Sequence, residues 1–279
     1  MFKRARDFIK TALAEDIGHG DITSELIVGS QSATAHIIAK EDFVLSGMPF
    51  IREVFDVLDN RIVVEVFAGE GDTVRKGTII SGISGEARAL LAGERTALNI
   101  LQRLSGISTL TAAYVYRVKG YPVKIVDTRK TGPGMRVMEK YAVTVGGGSN
   151  HRFGLFDGIL IKDNHISIAG GIAAAIGKAK LAHHLLKIEI EIRDLDQLRQ
   201  AVDAGADVIM LDNMTVAEME KAVAVARSLN SRVLLEASGN INLDNVRETA
   251  ATGVDLISIG AITHSARAVD ISMKMKMVC

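Results

Sequence analysis

KIEIEI at residues 187–192, VIMLD at 208–212, RVLLEA at 232–237 and LISIGA at 256–261 decide the fold. Each is a short, nearly continuous run of Val, Ile and Leu, the pattern of a strand buried on both faces of a parallel sheet. Helical stretches fill the gaps, DLDQLRQAVDAGA ending at Gly205 and then TVAEMEKAVAVARSL. Upstream, VKIVD (Val123–Asp127) and GILIK (158–162) bring the series to six, with ends some 20 to 35 residues apart, the spacing of repeated βα units. Six strands fit a doubly wound sheet or a barrel, and the polar residues at their ends favour the barrel. Those residues are Asp127 followed by Arg129 and Lys130, then Lys162, Glu191, Asp212, Glu236 with Ser238, and Gly260. In a (β/α) barrel the C-terminal strand ends converge on one mouth, which these side chains would line. Alternation within KIEIEI sets Ile188, Ile190 and Ile192 on one face and Glu189 and Glu191 on the other. Two carboxylates aimed at a barrel interior are costly unless they pair or bind a ligand. The plain alternative is that they neutralise Lys130 and Lys162.

The first hundred or so residues mix element types. Residues 2–15 read as a helix, Ala33–Ala39 and Arg61–Phe67 as strands, and PFIREVFDVLD between them as a helix. GERTALNILQRLSGIS reads as one helix with Ala97, Leu98, Leu101 and Leu104 as its buried stripe. The Gly-rich turns from Glu65 to Gly85 look like those of lipoyl or biotinyl carrier domains. Arg75-Lys76-Gly77 lacks the Met-Lys or Asp-Lys hairpin of such carriers, so a small structural sheet is the better reading. The chain length of 279 residues suggests about two domains, packed together because only three prolines and no Pro/Ser-rich linker interrupt it. Thirty-three Lys+Arg balance 33 Asp+Glu, which argues against a general binder of nucleic acid or another polyanion. A single cysteine, Cys279, excludes an intramolecular disulfide and a Cys-based zinc cluster. Charges interrupt MFKRARDFIKTALAEDIG before a signal-peptide core can form, and no stretch approaches the roughly 18 apolar residues of a spanning helix. A cytoplasmic globular protein is expected, without membrane attachment.

The densest chemistry lies between residues 127 and 165. Arg129, Lys130, Arg136, Lys140, His151, Arg152 and Lys162 place seven basic or potentially basic side chains within 34 positions. Arginine forks suit carboxylates and lysine acts as a point charge on phosphate, so the implied substrate is small and multiply anionic. A solvated positive face is the competing reading. The GGGSN loop (146–150) is weak evidence alone, and GIAAAIGKA from Gly171 misses the P-loop spacing, with Ala179 where Ser or Thr is required. A better phosphate candidate is Ser238-Gly239-Asn240 after one strand together with Gly260-Ala261 and Thr263-His264-Ser265 after the next. Loops after the last two barrel strands commonly cradle phosphate with backbone N–H groups.

These residues resemble a known family. EDIGHGDIT (15–23), ERTALNILQRLSGIS (94–108), DTRKT (127–131), KYAVTVGGGSNHRFGLFD (140–157), LIKDNH (160–165), EIEI (189–192), MLDN (210–213), EASGN (236–240) and SIGAITHS (258–265) are similar to the motifs of quinolinate phosphoribosyltransferase, also called nicotinate-nucleotide pyrophosphorylase. The resemblance runs nearly end to end. One departure is Gly132, where the family's DTRKTTPG run has Thr, a change that would loosen the loop behind Lys130.

The resemblance implies an N-terminal α+β domain over 1–107 and an open seven-stranded α/β barrel over 108–265. A tail, 266–279, would return to the first domain, and the strand not visible among the six would lie near 109–122 or 141–146. It further implies transfer of phosphoribosyl from 5-phosphoribosyl-1-diphosphate to quinolinate, with Mg²⁺, giving nicotinate mononucleotide, diphosphate and CO₂ for NAD biosynthesis. By the same resemblance, Arg129, His151 and Arg152, within a pocket that includes Thr128, would hold the quinolinate carboxylates, with Arg95 completing it from the neighbouring subunit of a homodimer or a dimer-based higher oligomer. Lys130 and Lys162 would meet phosphoribosyl diphosphate and quinolinate. Glu191 and Asp212 would take ribose hydroxyls and the metal, directly or through water. Ser238, Gly239, Asn240, Gly260 and Ala261 would take the 5-phosphate, with His264 close by.

The nearest alternative is a molybdenum-transport-associated paralogue of the same fold, which LIKDNH and NHRFGLFD disfavour. A Schiff-base aldolase using Lys162 or Lys130 leaves Arg152 and the phosphate loops without a purpose. No role is assigned to His183-His184 or to the Met-rich end MKMKMVC.

Overall fold

A computed structural model describes residues 2–230 and 232–277; Cys279 and the end of the Met-rich tail lie outside them. In chain order the elements begin α1 (Phe2–Ile17), α2 (Ile22–Ile27), β1 (Ser32–Ala39), β2 (Phe43–Val44), α3 (Met48–Leu58), β3 (Val63–Val66), β4 (Thr73–Val74), β5 (Ile79–Glu86) and α4 (Ala87–Arg117). They continue with β6 (Lys124–Val126), α5 (Arg136–Val145), β7 (Ile159–Ile161), α6 (Asp163–Ala169), α7 (Ile172–Ala179), β8 (Ile188–Ile192) and α8 (Leu195–Ala204). The remainder are β9 (Val208–Asp212), α9 (Val216–Leu229), β10 (Leu234–Ser238), α10 (Val246–Ala251), β11 (Leu256–Ser258), α11 (Ala261–His264) and β12 (Ile271–Met277). They form two compact units. The first comprises residues 1–112, 131–147 and 263–279, and the second 113–130 and 148–262.

In the first unit an antiparallel sheet runs β12-β1-β5-β3. Alternation along β1 buries Ala33, Ala35, Ile37 and Ala39 on one face. The final strand, β12, pairs with β1 from Ala39↔Ile271 to Ala33↔Met277. Helix α4 does not stop at residue 108. Its apolar stripe continues through Ile107 and Tyr114, both buried, and it ends only at Arg117. The division also differs from a continuous barrel over 108–265, because residues 131–147 join the first unit. The reason is a set of polar anchors. Tyr141 donates from its hydroxyl to Glu70 Oε2 at 2.9 Å. Glu139, wholly buried, accepts from Arg103 Nε and Nη2 at 3.1 and 2.9 Å and from the Gly132 N–H at 3.1 Å.

The second unit is a parallel sheet in the order β6-β11-β10-β9-β8-β7, with helices between successive strands. Its six strands match the six apolar runs. Ile190, Ile192, Ile209, Leu211, Leu235 and Ile257 are fully buried, as strands covered on both faces require. Helix starts and stops are written locally. Asp194 caps α8 by accepting from the Gln197 N–H at 2.8 Å, and Gly205 ends it in the left-handed region. Thr215 and Glu218 form a capping box on α9.

The expected seventh strand is a correction. Residues 109–117 are helical, as are 136–145, so neither region supplies it. In its place stands a single parallel bridge, Val126↔Ser149, on the free edge of β6. It is made by Asp127 N–H to Ser149 O at 3.1 Å and Ser149 N–H to Ile125 O at 2.8 Å. The glycines at 146–148 flank this bridge, a segment with too little apolar side chain to sustain a longer strand. Among the described residues no ladder joins it to β7, so the α/β barrel stays open there.

Candidate active site

The second unit brings charged side chains from six segments to the C-terminal ends of its strands. β6 leads into Asp127, which is fully buried and accepts the His151 backbone N–H on Oδ1 at 2.9 Å. That bond ties the loop after the Ser149 bridge to the loop after β6, so His151 and Arg152 are delivered beside Arg129. Burial, followed by the Arg129 charge, lowers the proton affinity of the Arg152 guanidinium, while the Glu189 charge opposes the shift. Arg152 also donates to Gly158 O at 3.0 Å, which fixes its direction. Thr128 accepts the Lys130 backbone N–H at 3.1 Å, shaping the turn from which the exposed Lys130 projects.

Beyond β7, the backbone N–H of Lys162 donates to His165 Nδ1 at 2.9 Å, which explains the spacing within LIKDNH. Lys162 Nζ lies 2.7 Å from Glu191 Oε2. The mutual neutralisation considered for the KIEIEI carboxylates therefore holds for this pair. It does not hold for Glu189, whose Oε2 meets His151 Nε2 at 2.9 Å.

A third carboxylate completes this inner group. Glu236, in the middle of β10, is wholly buried and 3.6 Å from His151 Nε2. Neither Glu236 oxygen has a hydrogen-bond partner, nor has Glu189 Oε1. Burial and then the Glu189 charge push the Glu236 carboxyl up to about 7. The ligand atoms of His151, Glu189 and Glu236 lie within 4.8 Å of one another, the reach of a metal site. The imidazole argues against that use. The backbone N–H of Arg152 donates to His151 Nδ1 at 2.8 Å, so the ring proton belongs to Nε2, which then has no lone pair for a metal. With Nδ1 accepting the Arg152 N–H and Nε2 facing Glu189, His151 links its loop to the inner carboxylates.

The loops after β9 and β10 are locked to each other. Asn213 and Asn240 are the two described non-glycine residues with positive φ, +56° and +52°. Asn213 N–H donates to Ser238 O at 2.9 Å, and Asn240 Nδ2 donates to Asn213 Oδ1 at 3.1 Å. Between them Gly239 takes φ +98°, where a Cβ would fall 2.2 Å from Asn213 Oδ1. Only glycine permits that approach. Asp212 stands at the end of β9 in register with Ser238. Gly260 and Ala261 follow β11 at the same edge of the sheet.

Two of the expected site residues fall in the first unit. Arg95 is exposed on α4, and His264 ends α11 with Nδ1 2.6 Å from Ser265 Oγ. Arg136 and Lys140 also belong there; Arg136 donates to Thr131 Oγ1 at 3.0 Å and Lys140 is wholly buried. A cavity of about 420 Å³ in that unit, lined in part by Glu15, Asp16, Asn99 and Arg103, includes none of the expected site residues. The sequence places Glu236 among the mouth-lining strand ends and Glu189 beside Glu191 on one face, but it gives neither a partner, and it gives Asn213 no role. The signals were a lone acid inside RVLLEA, the second carboxylate of KIEIEI, and an Asn directly after a strand-end Asp.

Comparisons with known proteins give the family and the fold. Residues 21–105 match the family model described as quinolinate phosphoribosyl transferase, N-terminal domain, and residues 107–274 match its C-terminal domain. The chain is 47% identical over 264 residues to the probable nicotinate-nucleotide pyrophosphorylase (carboxylating) of Bacillus subtilis, covering 94% of this chain and 90% of that protein. It is 40% identical over 285 residues to the chloroplastic nicotinate-nucleotide pyrophosphorylase (carboxylating) of Arabidopsis thaliana, covering 96% and 81%. The solved nicotinate-nucleotide pyrophosphorylase of Francisella tularensis superposes with a TM-score of 0.93 at 43% identity, covering 98% of this chain and 96% of that one.

Proposed function

The chain belongs to the quinolinate phosphoribosyltransferase family, and we propose that the open barrel mouth joins quinolinate to 5-phosphoribosyl-1-diphosphate with loss of CO₂. It is a decarboxylating phosphoribosyltransferase of NAD biosynthesis. The relatives named above lend no support to the molybdenum-associated alternative. The observation that carries the residue roles is the juxtaposition of Arg129 and Arg152, close enough for one charge to weaken the other's proton affinity. Such a pair is costly in the empty site and is relieved by a dianion.

In this reading Arg129 and Arg152 grip the two quinolinate carboxylates, and Thr128 and His151 hold the loops that carry them. Arg95 closes the pocket from the second subunit of a homodimer. Exposed Ile22, Leu26 and Ile27 on α2 supply apolar surface of the kind that subunit contacts cover. Fixed in this way, the pyridine nitrogen faces C1 of the ribose, and a bimolecular encounter becomes an oriented one. Lys130 and Lys162 offset the negative charge that grows on departing diphosphate. Glu191 and Asp212 bind ribose hydroxyls and tolerate the oxocarbenium character at C1. Backbone N–H groups at Ser238, Gly239, Asn240, Gly260 and Ala261 cradle the 5-phosphate, with His264 following. The positive ring nitrogen of the coupled product then stabilises the electron pair left at C2 when CO₂ departs, and a proton from solvent completes the C2–H bond. No covalent enzyme nucleophile takes part.

Glu191 and Asp212 also suit Mg²⁺, an all-oxygen donor set that leaves positions for water and substrate phosphate. When bound, the ion supplies charge stabilisation to the leaving diphosphate. The membrane plays no part in the proposal; among the described residues no helix is long and apolar enough to cross one. A cytoplasmic location fits an enzyme of soluble substrates. The deciding experiment is release of labelled CO₂ from carboxyl-labelled quinolinate, dependent on phosphoribosyl diphosphate and Mg²⁺. Absence of release, or equally efficient turnover of nicotinate, which lacks the 2-carboxylate, defeats the reading.

A further inference from the structure

We infer that Glu236 is a specificity-determining residue of the quinolinate site. Held as an uncharged carboxylic acid, it leaves Arg129 and Arg152 with surplus positive charge for a dianion. The inference rests on the reading of the site given above, and it concerns a residue that touches no reacting atom.

Arg152 lies among the charges of Arg129, Glu189 and Asp157, and His151 Nε2 lies within 3.6 Å of both Glu189 and Glu236. Ionising Glu236 makes this group one unit more negative and sets another carboxylate against quinolinate's own two across a buried, low-dielectric interior.

The geometry holds the proton on Glu236. Its side chain is wholly buried in the middle of β10, and both oxygens lack a hydrogen-bond partner. The groups facing it are Glu189 from β8, His151 from the segment after the Ser149 bridge, and Ser258 from β11. β9 offers only Met210 opposite it, and β11 offers Leu256. His151 Nε2 is 2.9 Å from Glu189 and 3.6 Å from Glu236, so it bonds Glu189; the imidazole and the Ser258 hydroxyl only partly offset the burial and the Glu189 charge that act on Glu236. Ionising such a carboxyl is unfavourable on both counts, which agrees with its upward shift to about 7. Bringing a dianion to the pocket raises its proton affinity further, so quinolinate binding takes up a proton wherever the free enzyme has begun to lose it.

The sign follows. Quinolinate stays fully ionised above pH ~6, so any loss of affinity at higher pH reports the protein. KM for quinolinate, measured at saturating phosphoribosyl diphosphate and Mg²⁺, should rise towards roughly tenfold per pH unit above pH ~7. In Glu236→Gln, which keeps the shape and cannot ionise, KM should vary by less than about threefold from pH ~6 to ~9, whatever its absolute value. An equal rise in wild type and variant overturns the inference. Wild-type turnover of quinolinate tests the underlying reading separately. Two measurements on the wild type stand independent of the variant's folding. Infrared difference spectra of the ligand-free protein at pH ~6 should show a protonated buried carboxyl that is lost by pH ~9. Calorimetry in buffers of different ionisation enthalpy should show uptake of roughly half a proton or more on quinolinate binding at pH ~7.5. No such band, or no proton uptake, refutes the assignment.

Discussion

Replacing Gly239 by alanine tests the phosphate cradle where the structure is most demanding. The backbone there has φ +98°, and a Cβ would lie 2.2 Å from Asn213 Oδ1, 2.6 Å from Asn213 Cγ and 3.1 Å from the Asn213 nitrogen. Two costs arise. An L-residue forced into the left-handed region loses about 1–2 kcal/mol. Moving the Asn213 side chain aside breaks its 3.1 Å hydrogen bond from Asn240 Nδ2, worth about 0.5–1.5 kcal/mol. Together they come to roughly 1.5–3.5 kcal/mol, or about 3–14 °C in Tm for a chain of this size. The functional effect should exceed the thermal one, because the displaced groups are those aimed at the 5-phosphate. KM for phosphoribosyl diphosphate is expected to rise at least about tenfold, while KM for quinolinate moves little. Gly253→Ala is the control. Its φ of +88° imposes the same backbone strain, but its added methyl meets Val223 Cγ1 at an ordinary 3.4 Å, away from the strand ends. It should lower Tm without changing KM. If Gly239→Ala raises KM for phosphoribosyl diphosphate no more than Gly253→Ala does, the cradle is wrongly placed.

Lys130→Ala should leave Tm nearly unchanged, since Lys130 is exposed, while kcat falls by at least about a hundredfold; an unaltered turnover number contradicts its role on diphosphate. Glu139→Ala should cost about 1–3 kcal/mol, because it removes the buried acceptor of the Arg103 guanidinium and the Gly132 N–H while Arg103 keeps the Ala266 and Thr263 carbonyls, and a loss under about 0.5 kcal/mol in chemical denaturation would rule that out. Co-expressing Arg95→Ala with Lys130→Ala should recover roughly a quarter of wild-type sites if Arg95 serves the partner's pocket, since half the dimers are mixed and half their sites intact. Activity that stays at the level of either single variant means that Arg95 acts within its own chain.

Much of the second unit was readable because parallel strands covered on both faces leave an unmistakable apolar signature. Each of the six runs became a strand, and the residue that ends it stands at the site edge. Turn chemistry was equally local, as Gly205 and the Thr215–Glu218 box show. What no local pattern carries is long-range. Residues 131–147 looked continuous with the barrel, yet Tyr141 and Glu139 bond to Glu70 and Arg103, partners far away in sequence. In place of the seventh strand expected near 109–122 or 141–146 stands one bridge at Ser149, beside three glycines. A strand reduced to a single rung has no periodicity to detect.

The inner carboxylates show the same limit inside the site itself. Period two along KIEIEI places Glu189 and Glu191 on one face, but it does not say that one meets His151 and the other Lys162. Pairing depends on depth in the barrel. Glu191 lies nearer the strand end, within reach of a lysine that projects from the mouth. Glu189 lies one repeat deeper, where only a short side chain from the interior loop arrives. Glu236 is also set back from its strand end, in register with Met210 and Leu256, and meets no lysine or arginine, only His151 at 3.6 Å. A carboxyl at that depth holds its proton far above the usual carboxylate range, and that proton then sets how much positive charge the two arginines offer. The strand ends, legible in the sequence, set which groups reach the substrate. The layer beneath them, legible only in three dimensions, sets the charge with which they reach it.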